Sequence, residues 1–247
     1  MSSLGRVWVA VLGAALWPGC GSPSGTPAAD AEPHAGDGDG GPPDAGMASA
    51  GLVLEFRGDP TLPAELGGEF DAVLDAVRVD LEEVRAIGDS APGDERTTRA
   101  AVELDWYAAG EEEEEGEEET DANNDPVRVT FADAPPGLYS LVLAQVVRYR
   151  VRGTVVVDAE TREFEIDDEP PSDLAISVDL DGLVLEPDAI REVELAVAVA
   201  DAVAELRWDE VTPDGDGDLK VDENDGEHIA PVRDAVEQAF TLVNGPR

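Results

Sequence analysis

An all-β sandwich closed by one C-terminal helix is the fold this sequence predicts, and three observations predict it. Beyond residue 50 most segments alternate apolar with polar side chains, the period of a half-buried strand. About nine such runs recur at roughly eight-to-twelve-residue spacing, separated by Gly, Pro, Asn and Asp, the cadence of a sandwich rather than of strand–helix–strand units. Hydrophobic residues make up 42% of the 247, enough for a core of useful size.

The strands can be taken in order. Leu52, Leu54 and Phe56 alternate in the first. Gly58 to Gly68, with Pro60 and Pro63, reads as loop. Phe70 to Ile87 fits helical spacing through Phe70, Val73, Leu74, Val77, Leu81 and Val84, yet Val77, Val79 and Leu81 fit a strand equally well. Its β-branched residues favour a strand over Ala76 to Ile87. Asp89 to Arg96 is a turn-rich loop around Pro92-Gly93. Ala101 to Tyr107 forms the next strand, with Trp106 as a core anchor.

Gly110 to Asp125 is an insertion of extreme composition, eight of its residues being glutamate. Like charges at that density repel and keep a segment extended and wet. The plain reading is a solvated hairpin loop; the functional one is diffuse cation binding or the docking of a basic partner. Val127, Val129 and Phe131 then mark a strand, and Pro135-Pro136-Gly137 reverses the chain. Leu138 to Val147 and Arg148 to Val157 follow as two more runs. Arg148, Arg150 and Arg152 share one face of the second, and cross-strand pairing with carboxylates is the expectation, an anion site the alternative.

Thr161 to Ile166 alternates, with Phe164 and Ile166 on one face. Asp167 to Pro171 turns the chain. Leu174 to Leu180, Leu183 to Leu185 and Val193 to Val199 supply further strands, and Ala200 to Trp208 a short helical turn. The closing helix is read over residues 231–243, with Val232, Ala235, Val236 and Phe240 as its apolar stripe. Pro231 suits the first helical position and Gly245 the stop.

Charge narrows the partners. The chain holds 57 acidic against 16 basic residues, a net −41, and Lys220 is its only lysine. Nucleic acid and anionic membrane surfaces are repelled at long range, whereas calcium and basic partners are not. The same balance keeps a protein soluble at high ionic strength. One cysteine excludes an internal disulfide.

The N-terminal region reads as an export signal followed by a tether. Arg6 precedes an apolar run from Val7 to Trp17, too short for a permanent transmembrane helix. Cys20 follows directly. A lone cysteine behind such a run resembles the lipobox of bacterial lipoproteins, which implies a signal peptide over 1–19 and a lipid on Cys20. An ordinary cleaved signal, or an uncleaved anchor with an idle thiol, is the alternative. The resemblance also implies an exported protein tied to the cell envelope by its lipid. Gly21, in place of a retention aspartate, points to the outer membrane. Residues 20–48 are Gly, Pro, Ser, Ala and Asp in nearly every position, a disordered tether holding the folded part, 49–247, off the membrane. His34, alone in that tether, is a poor metal ligand.

A broader resemblance rests on four blocks: A-I-G-D-S-A-P-G-D (Ala86 to Asp94), A-V-E-L-D-W (Ala101 to Trp106), F-A-D-A-P-P-G-L-Y-S (Phe131 to Ser140), and D-G-D-L-K-V with the closing helix. Together they resemble a group of uncharacterised bacterial lipoproteins with a signal peptide, a low-complexity tether and a β-sandwich. The P-P-G-L-Y-S turn is similar to those of immunoglobulin-like and transthyretin-like sandwiches. The resemblance implies no particular activity.

For chemistry, one segment stands out. Thr212 to Glu223 resembles a degenerate twelve-residue EF-hand loop, with Asp214, Asp216, Gly217, Leu219 and Glu223 at its third, fifth, sixth, eighth and twelfth positions. Alternate carboxylates converge on a hard cation there, glycine permits the turn, and a final glutamate can bind through both oxygens. Asp218 and Asp222 would supply further oxygens to Ca²⁺. Starting instead at Asp214 recovers a first-position acid but puts Leu219 where glycine belongs. The plain reading is an Asp-Gly surface turn. Catalysis has less support: His228 is the only histidine of the folded part, and the sequence has no nucleophile elbow, phosphate loop, H-E-x-x-H helix or CxxC pair. The expected function is a surface-tethered binding or structural module, with calcium as its candidate ion and no catalytic residues. A hydrolase using carboxylates alone, or a calcium-assisted site, is the alternative.

Overall fold

Alternation along the chain builds two antiparallel-rich sheets whose apolar faces meet in one core. The structure, a computed structural model, describes residues 50–89, 95–109, 121–171, 174–204 and 206–244. In chain order these form β1 (Ala50–Gly58), β2 (Ala64–Leu66), β3 (Ala72–Gly88), β4 (Thr98–Tyr107), β5 (Val127–Ala134), β6 (Gly137–Val157), β7 (Glu160–Asp168), β8 (Leu174–Leu185), β9 (Ile190–Val197), α1 (Ala200–Ala204), β10 (Leu219–Asp222), α2 (Gly226–Gln238) and β11 (Phe240–Asn244). The smaller sheet runs β11-β9-β1-β5; the larger runs β10-β7-β6-β3-β2, with β4 also on β3 and β8 also on β6. Leu52, Leu54 and Phe56 from one sheet and Val77, Val79, Leu104 and Val151 from the other belong to the same buried cluster. The all-β sandwich is therefore observed.

The ambiguous segment is a strand: β3 runs from Ala72 to Gly88 and pairs with β6 along its length. Burial decides it, because Val77, Val79 and Leu81 are all covered, as a period of two requires. Trp106 is buried as expected, and its Nε1 donates to the Asp125 carbonyl at 3.1 Å.

Several details of the strands and their connections differ from the sequence reading. Pro135-Pro136-Gly137 does not close a hairpin, since β5 pairs with β1 and β6 with β3, so the turn carries the chain from one sheet to the other. The Tyr139 hydroxyl fastens this corner by donating to the Pro135 carbonyl at 2.8 Å. Residues 110–120 of the acidic insertion lie outside the described residues, but its flanking strands, β4 and β5, belong to different sheets and do not frame a hairpin. Leu138–Val147 and Arg148–Val157 are one strand of 21 residues, and Leu174–Leu180 with Leu183–Leu185 is one strand of 12.

The helix starts earlier than Pro231. Amides of His228 and Ile229 both reach the Asp225 carbonyl, at 2.8 and 2.9 Å, placing Pro231 inside the helix. There Pro231 leaves the Glu227 carbonyl without its intrahelical donor. What outweighs this is the stripe Ile229, Val232 and Val236, all fully buried. Phe240 leaves the helix for β11, where it lies opposite Val197 and meets the Phe56 ring edge-on at 6.5 Å.

Glycine is indispensable where β6 approaches β3 most closely. Gly153 on β6 faces Phe164 on β7, and Trp208 packs on the Phe164 ring with centroids 4.7 Å apart. A Cβ on Gly153 would lie 1.9 Å from the Val73 carbonyl oxygen and 2.9 Å from the Phe164 ring. Neither neighbour can yield without moving the β3–β6 ladder. Gly153→Ala should therefore destabilise by about 3 kcal/mol or prevent folding, whereas Gly67→Ala, whose added Cβ meets nothing within 4 Å, should stay within about 0.5 kcal/mol of wild type. Urea unfolding of the two variants checks this.

Candidate functional site

The Asp-Gly segment folds around one carboxylate. Oδ1 of Asp214 accepts the amides of Asp216, Gly217 and Asp218 at 2.9, 3.1 and 3.1 Å, and the Asp214 amide donates to the Asp218 carbonyl at 2.8 Å. Gly217 has φ +99°, the left-handed turn its sequence position was expected to need. Successive amides curled on one oxygen make an anion-holding nest. Oδ2 of the same carboxylate meets Lys220 Nζ at 3.1 Å. The Asp216 amide first, then Lys220, hold the Asp214 carboxyl below its ordinary value.

Beyond this nest the predicted ligands spread out. Leu219 and Val221 are buried because β10 pairs in parallel with β7, which turns Lys220 and Asp222 outward. Asp216, Asp222 and Glu223 are exposed and Asp218 is half-buried. Asp222 Oδ1 accepts the Asn224 amide at 2.7 Å, and Asp225 Oδ2 accepts the Asp222 amide at 3.0 Å. Among the described residues no group of three or more His, Cys, Asp or Glu side chains is placed to hold a metal ion. Of the two registers, the Asp214 start matches the nest and ends at Asp225, immediately before α2; the Thr212 start matches the Gly217 turn. Cys20 and His34 lie outside the described residues.

The arginine row on β6 does what cross-strand pairing predicts. Arg148 meets Asp167 through Nε and Nη2 at 2.9 and 2.7 Å, Arg150 reaches the same carboxylate at 3.2 and 2.9 Å, and Arg152 Nε contacts Glu165 at 3.0 Å. Burial acts to raise the Asp167 carboxyl, but hydrogen bonds from Arg148 and Arg150 outweigh it and leave it lowered. A similar knot lies on the outer face of the smaller sheet. Glu55, only 6% exposed, accepts from Arg128 at 2.8 and 2.6 Å and from Arg57 at 2.9 and 2.5 Å. Arg128, then Arg57, lower its carboxyl despite its cover.

One ion pair is internal, and the sequence reading missed it. Asp168 is fully buried at the end of β7, where Arg233 of α2 grips it with contacts of 2.8 and 2.5 Å. Its partner across the ladder is Tyr149, whose hydroxyl is pushed well above the usual range by burial first and by the Asp168 charge second. The available signal was phase: Asp168 falls in step with inward Phe164 and Ile166. An open hollow of about 660 Å³ is lined by Glu82, Glu83, Arg85, Glu95, Thr98 and Ala100. The three glutamates in it are exposed rather than enclosed.

No family model matches the sequence, and no curated protein matches it. Among solved structures, a "putative cell adhesion protein" from Bacteroides ovatus aligns at 13% identity and a TM-score of 0.17. The alignment covers 61% of this chain and 40% of that one. No property of that protein is carried over to this chain.

The doubly held Asp167 generates a pH prediction. A carboxyl lowered on folding contributes stability that is present above its unfolded value and lost as pH falls through the folded one. Asp167→Asn should cost about 1–2 kcal/mol at pH 7. That gap should close as pH drops from about 3.9, the ordinary aspartate value, through the lowered one. Urea melts of the two proteins across that range measure the closing gap.

Proposed function

We propose that the protein is a lipid-anchored envelope protein whose β-sandwich serves as a binding or structural module. The observation that carries this reading is the disposition of charge. Arginines and carboxylates on the outer faces of both sheets are joined in ion pairs, two guanidiniums on Asp167 and two on Glu55, and the half-exposed arginines keep each face polar. The lipid on Cys20 would be the membrane contact, and residues 20–48 the spacer, with the outer membrane as destination. Cys20→Ala should move the protein from the membrane fraction to the soluble fraction of cells. Wild type already found with soluble proteins would overturn the anchor.

Calcium belongs to the same proposal as a stabiliser of the Asp214 loop. The residue set is of the right chemistry: alternate carboxylates, a glycine turn and a preformed nest at Asp214. A cation there would displace Lys220 from Asp214 Oδ2 and draw in Asp216, Asp218, Asp222 and the acids at the loop's end, Glu223 or Asp225. Affinity should be on the order of 10⁻⁴ to 10⁻³ M, as in extracellular modules. Calorimetry with CaCl₂ should show a saturable heat and a rise in melting temperature in wild type. Both should disappear in Asp216→Ala/Glu223→Ala. Equal heats in the two proteins would leave diffuse counterion binding and remove the site.

A further inference from the structure

The outer face of the larger sheet changes character halfway along β6. Beyond Val147 it carries Arg148, Arg150 and Arg152 in their carboxylate pairs. Nearer the start of β6 the same face carries leucines, with Gln145 between them and the arginines. Tyr139, Val142, Ala144 and Val146 are buried inward, which leaves Leu138, Leu141 and Leu143 on the outside. Ile87 of β3 lies opposite Leu141, and Val184 of β8 lies opposite Leu138. Leu138 and Val184 are 38% and 54% exposed, while Ile87, Leu141 and Leu143 are half-covered. Five aliphatic side chains thus form a continuous strip across three strands.

Carboxylates bracket this strip on both sides. On the β8 side Asp179 stands opposite Leu141, with Asp181 beyond it, both exposed. On the β3 side are exposed Asp89, whose amide donates to the Leu138 carbonyl at 2.9 Å, and exposed Glu82 and Glu83. On this stretch of β3 stands a cation, Arg85 opposite Leu143, and Glu83 holds it. An apolar strip between two acidic margins, on a chain of net charge −41, selects its occupant by charge. A second copy of the chain would bring like charges together, and an anionic surface would be repelled.

We propose that this strip docks a segment of another protein whose apolar ridge is flanked by lysines or arginines. The ridge would cover Leu138, Leu141 and Val184, and the flanking cations would meet Asp179 and Asp181 on one side and Glu82, Glu83 and Asp89 on the other. Burial of the strip supplies affinity, and the margins supply specificity and a faster encounter. This names the contact surface for the binding role proposed above and rests on that role. The test uses purified full chain in solution, so failure of the lipid anchor would leave its outcome unchanged.

The probe is a fluorescent leucine–lysine peptide with one apolar face, and its control is a scrambled peptide of the same composition without that face. Anisotropy titrations at physiological salt should show the amphipathic peptide binding wild type at least about ten-fold more tightly than the scramble, since the screened charge term is common to both. Leu138→Ser/Val184→Ser should bring it down to the scramble's level, and Val184→Ser alone, at the most exposed position of the strip, should give a partial loss in a chain whose fold is undisturbed. Val156→Ser, on the same strand but beyond the strip, should change nothing. Equal binding of both peptides, or binding unaffected by the double variant, would overturn the proposal. So would light scattering that shows a dimer dissolved by Val184→Ser, because the strip would then be covered by a second copy.

Discussion

The structure depends on β6 being paired along both edges for most of its length. A straight strand of 21 residues would extend about 70 Å at 3.3 Å per residue, far longer than one sandwich layer requires. It is accommodated by irregular register against β3, which shifts between Leu74 and Ala76, Asp80 and Leu81, Glu82 and Arg85, and Ile87 and Gly88. Each shift bends the pair and increases its twist. On its other edge β6 is shared: β8 takes Gly137 to Val146 and β7 takes Tyr149 to Val157. Two strands thus lie end to end along one partner, and the core side chains of both halves inherit their positions from it. The close approach of Gly153 to Val73 lies within this same ladder.

Charge is organised around that scaffold by distance. At short range many of the arginines meet carboxylates on their own or a neighbouring strand, and Asp167 and Glu55 each serve two guanidiniums. A carboxylate shared in this way tolerates partial cover because both partners stabilise its ionised form. The excess acid remains a long-range matter, repelling polyanions and other copies and weakening as salt screens it. Asp168 differs in kind. With no solvent around it, its charge is tolerable only through the two-pronged contact with Arg233, so removing either partner would strand the other.

Much of the strand pattern was legible, and what was not has a physical reason. Alternation states which side chains face the core, so Leu52, Leu54, Phe56, Phe164 and Ile166 were placed inward correctly. It does not state which sheet a strand joins, and a Pro-Pro-Gly reversal reads alike in a hairpin and in a sheet-to-sheet corner. β6 was divided because its outer face carries leucines in its first half and arginines beyond Val147, which imitates two elements. Pro231 misplaced the helix start because it suits a first turn, whereas the burial of Ile229 decided otherwise. In the candidate loop, spacing located the acids and the Gly217 turn. The gathering of three amides on Asp214 depends on backbone conformation that residue types alone do not encode.

Strand order in the smaller sheet has a consequence for how the chain matures. β1 lies between β5 and β9, and β9 in turn is bordered by β11 at the far end of the sequence. A chain emerging N-terminus first therefore offers Leu52, Leu54 and Phe56 long before the segments that enclose them exist. Closing this sheet means joining sequence-distant segments, a slow step that cannot be completed until β11 has been made. Until then the inward row of β1 lacks part of its cover, and like-charge repulsion helps keep such partly folded chains apart.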